Sequence, residues 1–232
     1  MAEPLRGALT ICLGWGAFGL FHTLLTRTWV KRKVEVFFGP PFLAGLYRSI
    51  YALVSTAYLV WLWFFSYGLS GDRVFYSLPG WLALTPIAAK SAAIVLIALC
   101  FKEISFSEFT GVGQFLRWAR GDLGENPPTP LDEAPMTSER EPLACRGVYL
   151  WVRHPFNTAA FIWIWPQADY TLYNVVFAAC LTAYILIANR FEENDLIARY
   201  GSAYERYAGV VPAFFSGFFG LQRRAEKLQH LS

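Results

Sequence analysis

An all-α, polytopic membrane fold is predicted for this 232-residue chain from its composition, its apolar runs and the basic residues between those runs. Hydrophobic residues make up 55% of the chain, aromatics 18% and charged residues only 16%, whereas a soluble domain carries about a quarter of its residues as charges. The net charge of +3 is therefore too diluted by Trp, Phe, Leu and Ile to read as a nucleic-acid surface. The four cysteines, Cys12, Cys100, Cys145 and Cys180, are scattered, so neither a disulfide framework nor a metal site is expected.

A hydrocarbon core about 30 Å thick needs roughly 20 apolar residues in helix. Runs of that size cover about 7–26, 48–67, 81–101 and 171–189. A fifth run, about 156–168, is short, rich in tryptophan (Trp163, Trp165) and closed by Pro166. It predicts a short span that turns back into the run after it, forming a C-terminal helical hairpin. The first run is read as a span and not a cleaved signal, because its basic cluster follows it. Residues 192–208, acidic first and basic later, predict a tail helix leaving the membrane.

Cytoplasmic loops are enriched in Lys and Arg. The first loop holds Arg27, Lys31, Arg32 and Lys33. The third holds Lys102, Arg117, Arg120, Arg140, Arg146 and Arg153, and the tail holds Arg190, Arg199, Arg206, Arg223, Arg224 and Lys227. Five helices in one domain over 1–232, in a cell (inner) membrane with the C-terminus cytoplasmic, satisfy all of these loops. The middle of the third loop, 121–130, reads as polar and proline-broken, and the piece before it, 107–120, as a short interfacial helix.

The chemistry-bearing residues gather at one membrane level. Arg153-His154-Pro155 leads into the hairpin and Arg190-Phe191-Glu192-Glu193 ends it, and an antiparallel hairpin returns both segments to the same face. Pro155 suits a first helical position, and the helix N-terminus there favours an anionic group. The result is a mixed site, with Arg153 and His154 for an anion, and Glu192 and Glu193 for a cation or hydroxyls. The rival reading has Arg153 and Arg190 as interfacial anchors and the glutamates as helix caps. Lys90, mid-way along the third long run, is expected to be ion-paired or functional, or else to snorkel.

Gly147-Val148-Tyr149-Leu150-Trp151-Val152-Arg153-His154-Pro155, the apolar hairpin, Arg190-Phe191-Glu192-Glu193-Asn194-Asp195-Leu196, and Tyr200 to Tyr207 with Val211-Pro212 resemble a known C-terminal signature. It is that of the isoprenylcysteine carboxyl methyltransferase and phospholipid methyltransferase superfamily of integral-membrane enzymes. Phe21-His22-Thr23, the basic loop and Arg48-Ser49-Ile50-Tyr51 are similar to the NnrU, nurim and methanethiol S-methyltransferase branch. The chain departs from the usual pattern at Asn157, where an aromatic is common, at Tyr47, where an acid is common, and at Ser105-Phe106-Ser107-Glu108-Phe109, where His and Asp are common.

The resemblance implies S-adenosylmethionine as cofactor, held by Tyr149, Arg153, His154, Pro155, Glu192, Glu193, Tyr204 and Tyr207. It implies methyl transfer at the cytoplasmic face to a small or membrane-soluble acceptor, with a thiol the leading choice. A thiol needs a base or positive field to become a thiolate, which Arg153, His154 or His22 would supply. A prenylcysteine carboxylate or a lipid are the alternative acceptors, and a non-catalytic nurim-like or NnrU-like membrane protein is the alternative of another class.

Overall fold

The computed structural model describes residues 2–124 and 146–215. The proline-broken centre of the third loop past residue 124, with Arg140 and Cys145, lies outside the described residues, as do Arg223, Arg224 and Lys227. The chain order is α1 (Ala2–Thr26), α2 (Thr28–Phe38), α3 (Pro40–Gly45), α4 (Tyr47–Tyr67), β1 (Val74–Ser77), a 3-10 turn (Gly80–Leu84), α5 (Thr85–Glu103), α6 (Phe106–Thr110) and α7 (Val112–Arg120). A second 3-10 turn (Gly147–Leu150), α8 (Pro155–Ile164), β2 (Asp169–Thr171), α9 (Leu172–Tyr200) and α10 (Ser202–Val210) complete it.

Among the described residues, four helical stretches are long and apolar enough to cross a membrane: Glu3–Thr26, Tyr47–Tyr67, Gly80–Glu103 and Leu172–Tyr200. Leu13, Leu53, Phe64, Ile87 and Ile187 stand exposed on them, a pattern that water would penalise and lipid tails accept. The protein is therefore a multi-pass membrane protein. The fifth run is the 10-residue α8, only about 15 Å long at helical rise. Pro166 has no N–H to extend that helix, and the chain passes through bends at Trp165 and Ala168 into β2.

The described residues form two compact units. In the first (2–73, 104–124 and 172–180), α1 and α4 pack closely: a Cβ at Gly14 would lie 2.5 Å from Leu62, and the Tyr58 hydroxyl donates to the Gly14 carbonyl at 3.0 Å. Phe177, from the start of α9, meets Trp15 and Trp63 edge-on with centroids 5.1 Å away. Tyr173 is buried and donates to the Ser70 carbonyl at 2.7 Å. The short helices α6 and α7 are specified locally. Ser105 caps α6 by accepting from the Glu108 N–H, the Ser-x-x-Glu pattern of a helix start. Glu108 then takes two bonds from Arg117 at 2.8 and 3.2 Å, which hold its carboxyl below the ordinary carboxylate range.

The second unit (74–103, 146–171 and 181–215) contains the hairpin. β1 and β2 pair antiparallel, and the Leu78 N–H donates to the Ala168 carbonyl at 2.8 Å. This short ladder ties the residues before α5 to the residues after α8 at one level. α8 lies along α5. Its end is closed by Gln167, which donates to the Ile164 carbonyl at 2.7 Å and accepts from Lys90 at 3.5 Å. Lys90 thus sits at the C-terminal, partially negative end of α8, where a cation is favoured. At the opposite end Phe101 meets Phe156, with ring centroids 5.2 Å apart.

Gly111 joins α6 to α7 with φ +83°, and a Cβ there would lie 2.5 Å from the Ser49 nitrogen. Ser49 also donates to the Gly111 carbonyl at 2.7 Å. Gly111→Ala adds left-handed strain to a backbone clash, so it is expected to destabilise by at least about 2 kcal/mol. In detergent the thermal midpoint should fall by roughly 4–8 °C.

Candidate functional site

The second unit brings the two predicted segments together. α9 is 29 residues long, about 43 Å. It outlasts a 30 Å hydrocarbon layer and carries Glu192 and Glu193 to the mouth of the hairpin. There one carboxylate oxygen, Glu193 Oε1, is reached by three nitrogens: Arg153 Nε at 2.9 Å, Arg153 Nη2 at 2.6 Å and His154 Nε2 at 3.0 Å. An ionised carboxylate only accepts, so His154 Nε2 carries the proton. The other ring atom, Nδ1, is then the basic one, and it lies 3.7 Å from Glu192 Oε2.

Arg153 serves the frame as much as the site. Its Nη1 donates to the Ala208 and Val211 carbonyls at 3.0 and 2.5 Å, so four of its five N–H donors are used internally. Residues 211–214 form a roof over the start of α8. The Arg153 N–H donates to the Pro212 carbonyl at 2.9 Å, the His154 N–H to the Ala213 carbonyl at 3.0 Å, and the Thr158 hydroxyl to the Phe214 carbonyl at 2.8 Å. Phe214 covers the His154 ring at 5.8 Å and meets Phe161 at 5.2 Å. Pro155 occupies the first position of α8 and is buried.

Tyr204, Tyr207 and Val211 form a buried cluster with Leu150, Leu196 and Ala208 around it. The Tyr207 hydroxyl donates to the Tyr149 carbonyl at 2.7 Å. Burial pushes the Tyr204 hydroxyl up to about 12 and raises that of Tyr149 as well, so both stay neutral at physiological pH. His154 is buried, at 6% exposure. Glu192 keeps 57% of its side-chain surface and is the carboxylate of the cluster that a ligand reaches most directly.

His22 belongs to the first unit, where Nδ1 pairs with the Ser55 hydroxyl at 3.0 Å and Nε2 with the Tyr51 hydroxyl. Its ring also lies against Phe18 and Tyr51. Both nitrogens are thus engaged by hydroxyls of that unit. Arg48 Nε donates to the Phe109 carbonyl at 3.3 Å. Sequence reasoning missed the Thr158–Phe214 contact and a second polar pair in the hairpin, in which Asn157 Nδ2 donates to Asn189 Oδ1 at 2.8 Å. The signal was present in Asn157, the residue that departs from the aromatic pattern. Among the described residues no group of three or more His, Cys, Asp or Glu side chains is arranged to hold a metal ion.

The chain is 30% identical over 224 residues to the methanethiol S-methyltransferase of Crocosphaera subtropica, covering 90% of this chain and 75% of that protein. It is 28% identical over 215 residues to that of Mycobacterium tuberculosis, covering 89% and 78%. It is 31% identical over 195 residues to that of Pseudomonas deceptionensis, covering 82% and 65%. No family model matches the chain, and no solved structure does. Long apolar helices, the hairpin with its charged mouth and these relatives define an integral-membrane methyltransferase. The chain belongs to the methanethiol S-methyltransferase family.

Because Arg153 satisfies two tail carbonyls as well as Glu193, Arg153→Lys keeps the charge but loses the fork that reaches all three. Breaking a largely buried pair of this kind costs about 3 kcal/mol. The variant should unfold at a lower temperature and be cut more rapidly by protease after Val210.

Proposed function

We propose that this protein transfers a methyl group from S-adenosylmethionine to a small thiol at the cytoplasmic face of a bacterial-type inner membrane. The observation that carries this reading is the mixed-charge cluster at the hairpin mouth, in which His154 is held by Glu193 on one side and faces Glu192 on the other. The names of the relatives support the thiol as acceptor. The basic residues of the first and third loops support a cytoplasmic mouth and C-terminus.

The residues present fit this cofactor. A sulfonium and an ammonium group call for carboxylates, and Glu192 offers an accessible one. The nucleoside and carboxylate call for hydrogen-bond donors within an apolar surround, and the side chains close to the charged cluster include Phe156, Phe161 and Phe214 with the buried Tyr204 hydroxyl. In this assignment Glu192 and His154 face the cofactor. Arg153, Glu193, Pro155, Tyr149, Tyr204 and Tyr207 shape the wall behind them, and His22 serves the packing of its own unit.

When bound, S-adenosylmethionine supplies an electrophilic methyl group on a sulfonium. The rest is positioning, water exclusion and one proton movement. Aligning acceptor and methyl group is worth roughly 7–11 kcal/mol, and the roof at 211–214 keeps water from the start of α8. The acceptor thiol, with a free pKa near 8.5, gives its proton to His154 Nδ1. The imidazolium so formed is held between Glu193 at Nε2 and Glu192 at Nδ1.

Calorimetric titration of the detergent-solubilised protein should detect S-adenosylhomocysteine binding, weakened roughly tenfold or more in Glu192→Ala and His154→Ala. Labelled donor should methylate small thiols and leave prenylcysteine and phospholipid unlabelled. Absence of binding by the unmodified protein would favour the non-catalytic alternative, and labelling of prenylcysteine alone would move the acceptor to a carboxylate.

A further inference from the structure

Asn157 and Asn189 lie on α8 and α9 one turn deeper than the charged cluster. Asn157 follows His154 by three residues, and Asn189 precedes Glu193 by four, about 6 Å along the helix. Asn189 is buried, at 5% exposure. Its Oδ1 accepts from Asn157 at 2.8 Å, which fixes the amide across the hairpin. Its Nδ2 is fully buried and has no acceptor among the described residues. A buried donor left so costs about 1–3 kcal/mol, an outlay that an apolar residue would avoid and that a bound acceptor atom would offset.

We propose that Asn189 Nδ2 is the donor that holds the sulfur of the thiol acceptor as a thiolate, with Asn157 orienting it. This deepens the reading given above and rests on it. A hydrogen bond to the charged form favours that form, and a neutral donor buried away from water suits a small, weakly hydrated anion. The thiol proton goes to His154 Nδ1, one turn nearer the mouth. The sulfur lone pair then forms the new bond to the methyl carbon as the sulfonium–methyl bond breaks, leaving two neutral thioethers. Asn189 thus acts on the acceptor, while Glu192 and His154 face the cofactor.

The test uses full-length protein in detergent, saturated with S-adenosylhomocysteine and titrated with ethanethiol at neutral pH. Binding is followed by calorimetry, and the ionisation of the thiol by its ultraviolet thiolate band. The unmodified protein should bind ethanethiol with that band present. Asn189→Leu should bind it roughly tenfold to hundredfold more weakly, the range expected for one hydrogen bond to a charged group, and without the band. S-adenosylhomocysteine affinity should be unchanged. Asn189→Asp, nearly identical in shape, should lose the thiolate in the same way, which guards against a packing defect in the leucine variant. Ethanethiol binding and thiolate band like those of the unmodified protein in either variant would overturn the proposal, as would a loss confined to S-adenosylhomocysteine affinity. Failure of the unmodified protein to bind S-adenosylhomocysteine would instead overturn the functional reading beneath it.

Discussion

One carboxylate oxygen organises the mouth of the hairpin. Glu193 Oε1 takes two bonds from Arg153 and one from His154, and the other edge of the same guanidinium holds the carbonyls of Ala208 and Val211. Through these few bonds the start of α8, the far part of α9 and the tail beyond α10 are fixed at one point. Desolvating an arginine and a glutamate is expensive, and the geometry repays it only because nearly every donor is matched. The catalytic reading depends on this clasp, since it sets the tautomer of His154 and leaves Nδ1 as the basic atom.

Much of this was legible in the sequence because membranes impose simple rules. Spans of about 20 apolar residues, basic loops and a proline closing a short run are dictated by the hydrocarbon layer and by backbone hydrogen bonding. The same logic predicts that His154 and Glu193, thirty-nine positions apart, become neighbours, and they lie 3.0 Å apart. What was not legible depends on side-chain direction. Spacing alone presents Arg153 as a free cation for an anion, whereas its donors are largely consumed by Glu193 and two backbone carbonyls. The β1–β2 ladder is invisible in five exposed residues and two partly exposed ones. Lys90 is placed by the end of α8, a position set by where Pro166 stops the helix.

The departures from the family pattern carry the most specific information. Ser105 and Glu108, standing where His and Asp are common, cap α6 and hold Arg117. Asn157, standing where an aromatic is common, pairs with Asn189, whose own amide donor is buried without an acceptor among the described residues. A polar pair in that position changes what the hairpin can hold. It exchanges stacking surface for one directed hydrogen bond, which discriminates by chemistry more than by size.

The most direct test of the central clasp is a double-mutant cycle between Arg153→Met and Glu193→Leu, read as unfolding free energy in detergent. If Glu193 binds the hairpin mouth through Arg153, the double variant should be about as stable as the worse single variant, with a coupling of roughly 2 kcal/mol or more. Losses that add within about 0.5 kcal/mol would show the two residues acting independently, and would contradict the account.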